Sequence, residues 1–213
     1  MAYTSLTEVR LLTNLTTGDI SDSDITNLVP QATYQLNADV NKREIREKIE
    51  YIDKTRENNI NSSNTTYYVK NWKGKFIGDF DNDGDVDTSD ITVYQVASDG
   101  TETELTVSSI TPDGGKFVLS SAPSSGVNLY VTYCWSYEDE ETPSKLIELA
   151  CTNLTAALCF EKINRGLSPL QVFGNIRLTR DMNAGNVFFR EYRNIVDKIN
   201  AGNQIHYTEA KIF

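Results

Sequence analysis

Apolar residues recur at helical spacing at both ends of the chain and alternate with polar ones in its middle. Near the start, Leu6, Val9 and Leu12 share one helical face. Ser5 and Glu8 have the spacing of a capping box, so a short helix is predicted there. After the Gly18-Asp19 turn, Ser21 opens a second helix, with Asp22 and Asp24 in its first turn. Negative charge there meets the positive end of the helix dipole. Ile25, Leu28, Val29, Ala32 and Leu36 form its apolar stripe, and Pro30 within the stripe predicts a kink. The segment KREIREKIEYIDKTR (42–56) has only Ile45, Ile49 and Ile52 on one narrow face. That pattern predicts a third helix, exposed over most of its surface.

The polar linker NNINSSNTT (58–66) ends this rhythm. TTYYVKNW, DITVYQVA, ETELTVSSIT, KFVLSSA and VNLYVTYCWSY then read as strands, rich in Val, Thr, Tyr and Phe. Asp99-Gly100, Asp113-Gly114-Gly115 and Pro123-Ser124-Ser125-Gly126 supply turn chemistry between them. Short strands at even spacing predict a small antiparallel barrel or sandwich. After the acidic run 138–141, Thr142 is placed to cap a helix and Pro143 to occupy its first position. Leu146, Ile147, Leu149, Ala150, Leu154, Ala157, Leu158, Phe160 and Ile163 leave that helix little polar face, so it is expected to be the most buried, ending at Gly166. GNIRLTR reads as a short strand, and a last helix is predicted from Ala184 to Ala201 with Phe188, Tyr192, Ile195 and Ile199 inward. The predicted fold is therefore α+β. Residues 1–64 and 138–213 form one discontinuous helical domain, and 65–137 form an inserted β domain.

Composition narrows the function classes. The chain has 213 residues, is 39% hydrophobic and carries a net charge of −10. Acids spread along the whole chain argue against an electrostatic grip on nucleic acid, which needs clustered Lys and Arg. No apolar run approaches the ~18 residues of a membrane span. The opening MAYTSLTEVR has no basic segment followed by an apolar one, so no secretory signal is predicted. Cys134, Cys151 and Cys159 show no CxxC spacing and read as small buried residues. The one histidine, His206, lies near the end, and there is no P-loop or GxGxxG. No catalytic constellation stands out, and the expectation is a non-enzyme.

The stretch DFDNDGDVDTSD (79–90) carries the one sharp motif. Counting from Asp79, the ligand positions of an EF-hand-type loop hold Asp79, Asp81, Asp83, Asp85, Asp87 and Asp90, with Gly84 at the sixth place. Hard oxygens at alternating positions on a tight loop suit calcium, with Asp85 offering its backbone carbonyl and Asp87 a water-mediated contact. The competing reading is a solvated, Asp-rich turn. Position 12 is Asp rather than the bidentate Glu of EF-hands, as in dockerin-type loops. The residues that follow, ITVYQV, read as a strand rather than a helix. A loop between strands lacks the helix pair that a calcium sensor opens, so the ion is expected to be structural.

The opening LTEVRLLTNLTTGDISDSDITNLVPQATYQLNADV resembles the N-terminus of head–tail connector proteins of tailed viruses, also called adaptor or head-completion proteins. The likeness lies in a short helix, the signature Ile20-Ser21-Asp22-Ser23-Asp24-Ile25 and a longer helix. The apolar helix from Leu146 to Ile163 looks like that family's second core helix. The middle of the chain resembles β insertions of such adaptors, especially from archaeal tailed viruses. Pro30 departs from the family's smooth second helix. The resemblance implies a virion neck protein, assembled in the host cytoplasm. Its copies would form a ring, typically dodecameric, beneath the portal protein. The ring would extend the channel through which viral DNA passes without specific binding, dock the next neck or tail-completion protein, and touch no membrane. Tyr207, Ile212 and Phe213 in the tail would then be interface anchors; a frayed end is the alternative. From another class, a calcium-dependent module, dockerin-like or carbohydrate-binding, remains open, with Tyr67, Tyr68, Trp72, Tyr133 and Trp135 as candidate sugar-stacking residues.

Overall fold

The computed structural model describes residues 3–165, 170–173, 176–179 and 183–202. The fold is α+β, and the chain divides into two compact units. One is the inserted β unit, Val40–Thr142; the other joins Ala2–Asp39 to Pro143–Phe213. The helices of the two chain ends thus cluster, and the β region interrupts them in sequence.

In the helical unit, α1 (Leu6–Thr13) starts at the expected capping box. Glu8 N–H donates to Ser5 Oγ at 3.3 Å, and Ser5 N–H donates to Glu8 Oε2 at 2.8 Å. Arg10 ties the turn that follows, donating to the carbonyls of Leu15 (2.8 Å) and Ile20 (3.1 Å) and to Asp22. Helix α2 (Asp22–Val40) runs through Pro30 without interruption. Proline removes the bond to the Thr26 carbonyl, and both residues are exposed, so water can satisfy that carbonyl. All five stripe residues of α2 are buried. Helix α3 (Lys145–Arg165) buries Cys151, Leu154, Ala156 and Cys159, and Thr152, Asn153 and Thr155 besides. Its polar side chains turn back onto its own carbonyls: Thr155 Oγ1 donates to Cys151 at 2.9 Å and Asn153 Nδ2 to Leu149 at 2.8 Å. The cap is Ser144, whose Oγ accepts from Leu146 N–H at 3.2 Å, rather than Thr142. Strands β9 (Leu170–Phe173) and β10 (Ile176–Thr179) pair antiparallel. Helix α4 (Ala184–Asn200) buries Tyr192, Ile195, Val196 and Ile199. Phe188 of α4 stacks on Phe160 of α3 at 5.5 Å, and a Cβ on Gly185 would meet Phe160 at 3.1 Å, so this glycine permits the close approach of the two helices.

The β unit holds two sheets. The larger contains β1 (Lys42–Lys48), β8 (Asn128–Ser136), β4 (Thr92–Val96) and β5 (Glu102–Leu105) in that order, with β3 (Phe76–Ile77) also on β8. The smaller has the order β2 (Thr66–Tyr68), β7 (Lys116–Leu119), β6 (Val107–Thr111). Among the described residues no sheet closes into a barrel. Both sheets feed one core, which includes Tyr67, Val93, Phe117, Leu129, Val131 and Tyr133.

The segment predicted as a third helix is instead strand β1 and the turn after it, so the β unit begins at Val40 rather than near Thr65. Helix propensity is high in KREIREK, but three isoleucines bury too little to hold a helix against a competing partner. That partner is the edge of β8, paired antiparallel from Lys42↔Trp135 to Lys48↔Tyr130. A bulge between Glu44 and Glu47, with Arg46 at φ 57°, breaks the strict alternation. Both glutamates consequently accept from aromatic side chains of β8: Trp135 Nε1 donates to Glu44 at 3.2 Å, and Tyr133 Oη donates to Glu47 at 2.9 Å. Ile49 is buried, whereas Ile45 is 72% exposed. The cations expected on an open helix face are used within the sheet. Arg46 lies over Tyr130 at 5.4 Å and pairs with Glu102, and Arg43 lies over Phe80 at 4.7 Å.

Candidate metal centre

The acidic loop joins β3 to β4, so it runs strand to strand as its flanking sequence predicts. Both strands pair with the same side of β8: Ile77 lies opposite Trp135, and Thr92 lies opposite Thr132. Only Tyr133 and Cys134 of β8 separate these two pairings. Residues 78–91 are therefore an excursion from what is otherwise one line of strand.

The loop's backbone amides turn inward onto its own carboxylates. Asp79 Oδ2 accepts from Gly84 N–H at 2.9 Å, and its Oδ1 accepts from Asn82 N–H. Asp83 N–H donates to Asp81 at 3.1 Å and Asp85 N–H to Asp83 at 3.0 Å. This winding needs left-handed backbone at Asn82 (φ 62°) and Gly84 (φ 101°). Val86, at the loop position that usually points inward, is buried in the β-unit core.

Asp79, Asp81 and Asp83 come together, with carboxylate oxygens within 4.8 Å of one another. Such a trio can hold a divalent metal ion. Asp79 is buried and the other two are exposed, which leaves one side of the trio open. The remaining predicted ligands are placed differently. Asp90 is buried, and its carboxylate accepts from the backbone of Phe80 (2.6 Å), Asp81 (3.3 Å) and Asp87 (2.7 Å), tying the loop's end to its start. Asp87 caps the 3-10 turn Thr88–Asp90 by accepting from Ser89 N–H at 2.7 Å. Ser89 Oγ also donates to Asp81 at 2.9 Å. Asp85 is exposed and stands outside the carboxylate trio.

Electrostatics show what an ion would relieve. Burial, and then the charges of Asp81 and Asp83, raise the Asp79 pKa. Burial pushes Asp90 up to about 6, with Asp79 adding to the shift. Asp87 moves the other way, because Ser89 donates to it.

One functional group lay outside the motif. Glu140 is buried, and Asp79 N–H donates to its Oε2 at 2.9 Å. Burial pushes Glu140 up to about 7; Asp79 N–H and the Asn41 amide oppose the shift, and the charges of Asp79 and Asp90 add to it. In sequence the run 138–141 marks only the point after which the helical pattern returns. Yet Cys134 and Ser136, on the opposite face of β8 from Leu129, Val131 and Tyr133, are buried, and so are Glu138 and Glu140 beyond the strand's end. No apolar pattern in the sequence marks Glu140.

Tyr67, Tyr133 and Trp135, three of the five aromatics considered for sugar stacking, are core residues. Trp72 is covered by Arg56, which lies 3.6 Å over its ring. The tail residues Tyr207, Ile212 and Phe213 lie outside the described residues. Comparison with known proteins finds no matching family model and no matching curated relative.

Proposed function

We propose that this protein is a structural adaptor of a tailed-virus neck, and that its β unit is fastened by one calcium ion at 79–90. The observation that carries the adaptor reading is the division of the chain. Helices from both ends cluster in one unit, and a β unit is inserted between them, as the resemblance to head–tail connectors implies. In this reading copies assemble as a ring beneath the portal, dock the next neck protein, and line a channel. A net charge of −10 suits a wall past which DNA slides without sticking. Electron microscopy of the purified full chain tests this: rings with a central channel are expected, and a monomer that fails to sediment with portal-bearing capsids overturns it.

Calcium fits the loop better than magnesium. Magnesium demands near-ideal octahedral geometry and keeps its waters, whereas calcium accepts a larger, irregular set of carboxylate and carbonyl oxygens. The loop offers Asp79, Asp81 and Asp83 on one side of its turn, with Asp85 and Asp87 following. Because strands flank it on both sides, the ion stabilises the fold by mass action rather than moving helices. Calorimetry on chelator-stripped protein should show heat on adding calcium. The carbohydrate-binding alternative loses its platform, since most of the required aromatic faces are covered.

A further inference from the structure

The loop's first residue is held from outside the loop, and by residues at the two ends of the β unit. Asn41 follows the unit's first residue, Val40, and Glu140 precedes its last residue, Thr142, by two places. Glu140 Oε2 accepts Asp79 N–H at 2.9 Å, and Asn41 Nδ2 reaches the Asp79 carbonyl at 3.4 Å. The backbone of Asp79 is thus gripped on its N–H side by one end of the unit and on its C=O side by the other.

Gly78 makes this grip possible. A Cβ there would lie 2.9 Å from Glu140 Oε1 and 3.0 Å from Asn41 Oδ1, so the two side chains close over a bare Cα. Glu140 is 6% exposed. Neither its Oε1 nor Asn41 Oδ1 meets a partner in hydrogen-bond geometry among the described residues. A buried carboxylate opposed by the charges of Asp79 and Asp90 is costly unless positive charge stands nearby.

We propose that Glu140 and Asn41 form an outer layer of the cation site, so that loading the loop also fastens both ends of the β unit. This rests on the reading of 79–90 as a cation loop. Glu140 is a positioning residue. It fixes Asp79 through the backbone, and its charge favours the ion across that residue. The site is then a three-part structure in which residues 40–41, 78–90 and 138–142 order together. A self-contained loop would order alone.

The test uses the full chain, stripped of metal, with calcium ion as the probe. Hydrogen exchange of the wild type needs no variant. Calcium should slow exchange in peptides covering 40–43 and 138–142 as well as in the loop. In calorimetry, Glu140→Gln keeps an acceptor for Asp79 N–H but removes the charge. It should weaken calcium binding about tenfold, the lower end of the range for outer-layer partners of metal ligands. Glu140→Ala, which removes both, should weaken it further. If these variants do not fold, Gly78→Ala replaces them, because its methyl displaces both side chains. A merely structural Glu140 would lower the melting temperature equally with and without calcium and leave the affinity unchanged. That result, or exchange slowed in the loop alone, overturns the proposal while calcium binding stands. No heat with the wild type overturns the calcium reading itself and this proposal with it.

Discussion

The helical unit and the β unit reach their structures by different routes. In the helical unit each helix rests on signals close in sequence, such as the Ser5–Glu8 box and the continuous stripe of α2. In the β unit, by contrast, a segment with strong helical composition is a strand because of a partner far along the chain. Tyr133 and Glu47, which join β8 to β1, are 86 positions apart. A broad apolar stripe is enough to decide local structure, whereas a narrow one leaves the decision to whichever partner is available.

The sharpest way to break this comparison is to damage one unit and watch the other. Trp72 and Trp135, the only tryptophans, lie in the β unit, so fluorescence follows that unit while the far-ultraviolet helical signal follows the other. Tyr133→Ala removes a fully buried ring and should cost about 3–5 kcal/mol in the fluorescence transition. Leu154→Ala, in α3, should cost about 2–5 kcal/mol in the helical transition. If either variant shifts both transitions equally, the units fold as one.

Calcium should act on one transition only. At a hundred times its dissociation constant it should stabilise the β unit by about 2.7 kcal/mol, read by fluorescence. In chelator, pH gives a second handle. Asp90 and Glu140 have folded pKa values of about 6 and about 7, above the ordinary 3.8 and 4.5 of these groups. A raised folded pKa means the native state holds more protons over that interval, so stability falls as pH rises from about 4 to about 7 and is then level. The fluorescence midpoint of ion-free protein should therefore drop between pH 5 and pH 7, and calcium should reverse the drop. A midpoint that rises over this interval contradicts the assignment.

Smaller effects sharpen the contrast. Ser5→Ala removes a helix cap and should cost about 1 kcal/mol in the helical signal alone. Ile45→Lys should change stability by less than about 0.5 kcal/mol, because Ile45 is exposed on β1. A buried helical stripe at 42–56 would make that substitution far more costly, so denaturation of this variant checks the strand assignment directly.

Much of the fold is legible in the sequence where burial and period agree. The stripe of α2, the long buried helix α3 and the strand after the acidic loop all follow from spacing. The bulge at Glu44–Glu47 is not legible, since it depends on a register with β8 that only the assembled sheet defines. At the site, the carboxylate trio and Gly84 are visible as a motif. Glu140 and Asn41 are far from it in sequence, and only the paired strands bring them to Asp79. The capping role of Asp90 is also hidden, because spacing marks an oxygen donor without saying whether a metal or backbone N–H groups will claim it.

The excursion at 78–91 has a consequence for how such a loop could be gained or lost over evolution. Ile77 and Val93 both face the core, opposite Trp135 and Val131. Two residues in place of 78–91 would sit opposite Cys134 and Tyr133 and leave Ile77 and Val93 on the same face, because side chains alternate with period two. The core would give up Val86 and Ile91, and nothing else in the larger sheet would change register. The acidic loop is therefore a cassette spliced between two matched halves of a strand. A lineage could acquire it or discard it in a single event without redrawing the sheet that carries it.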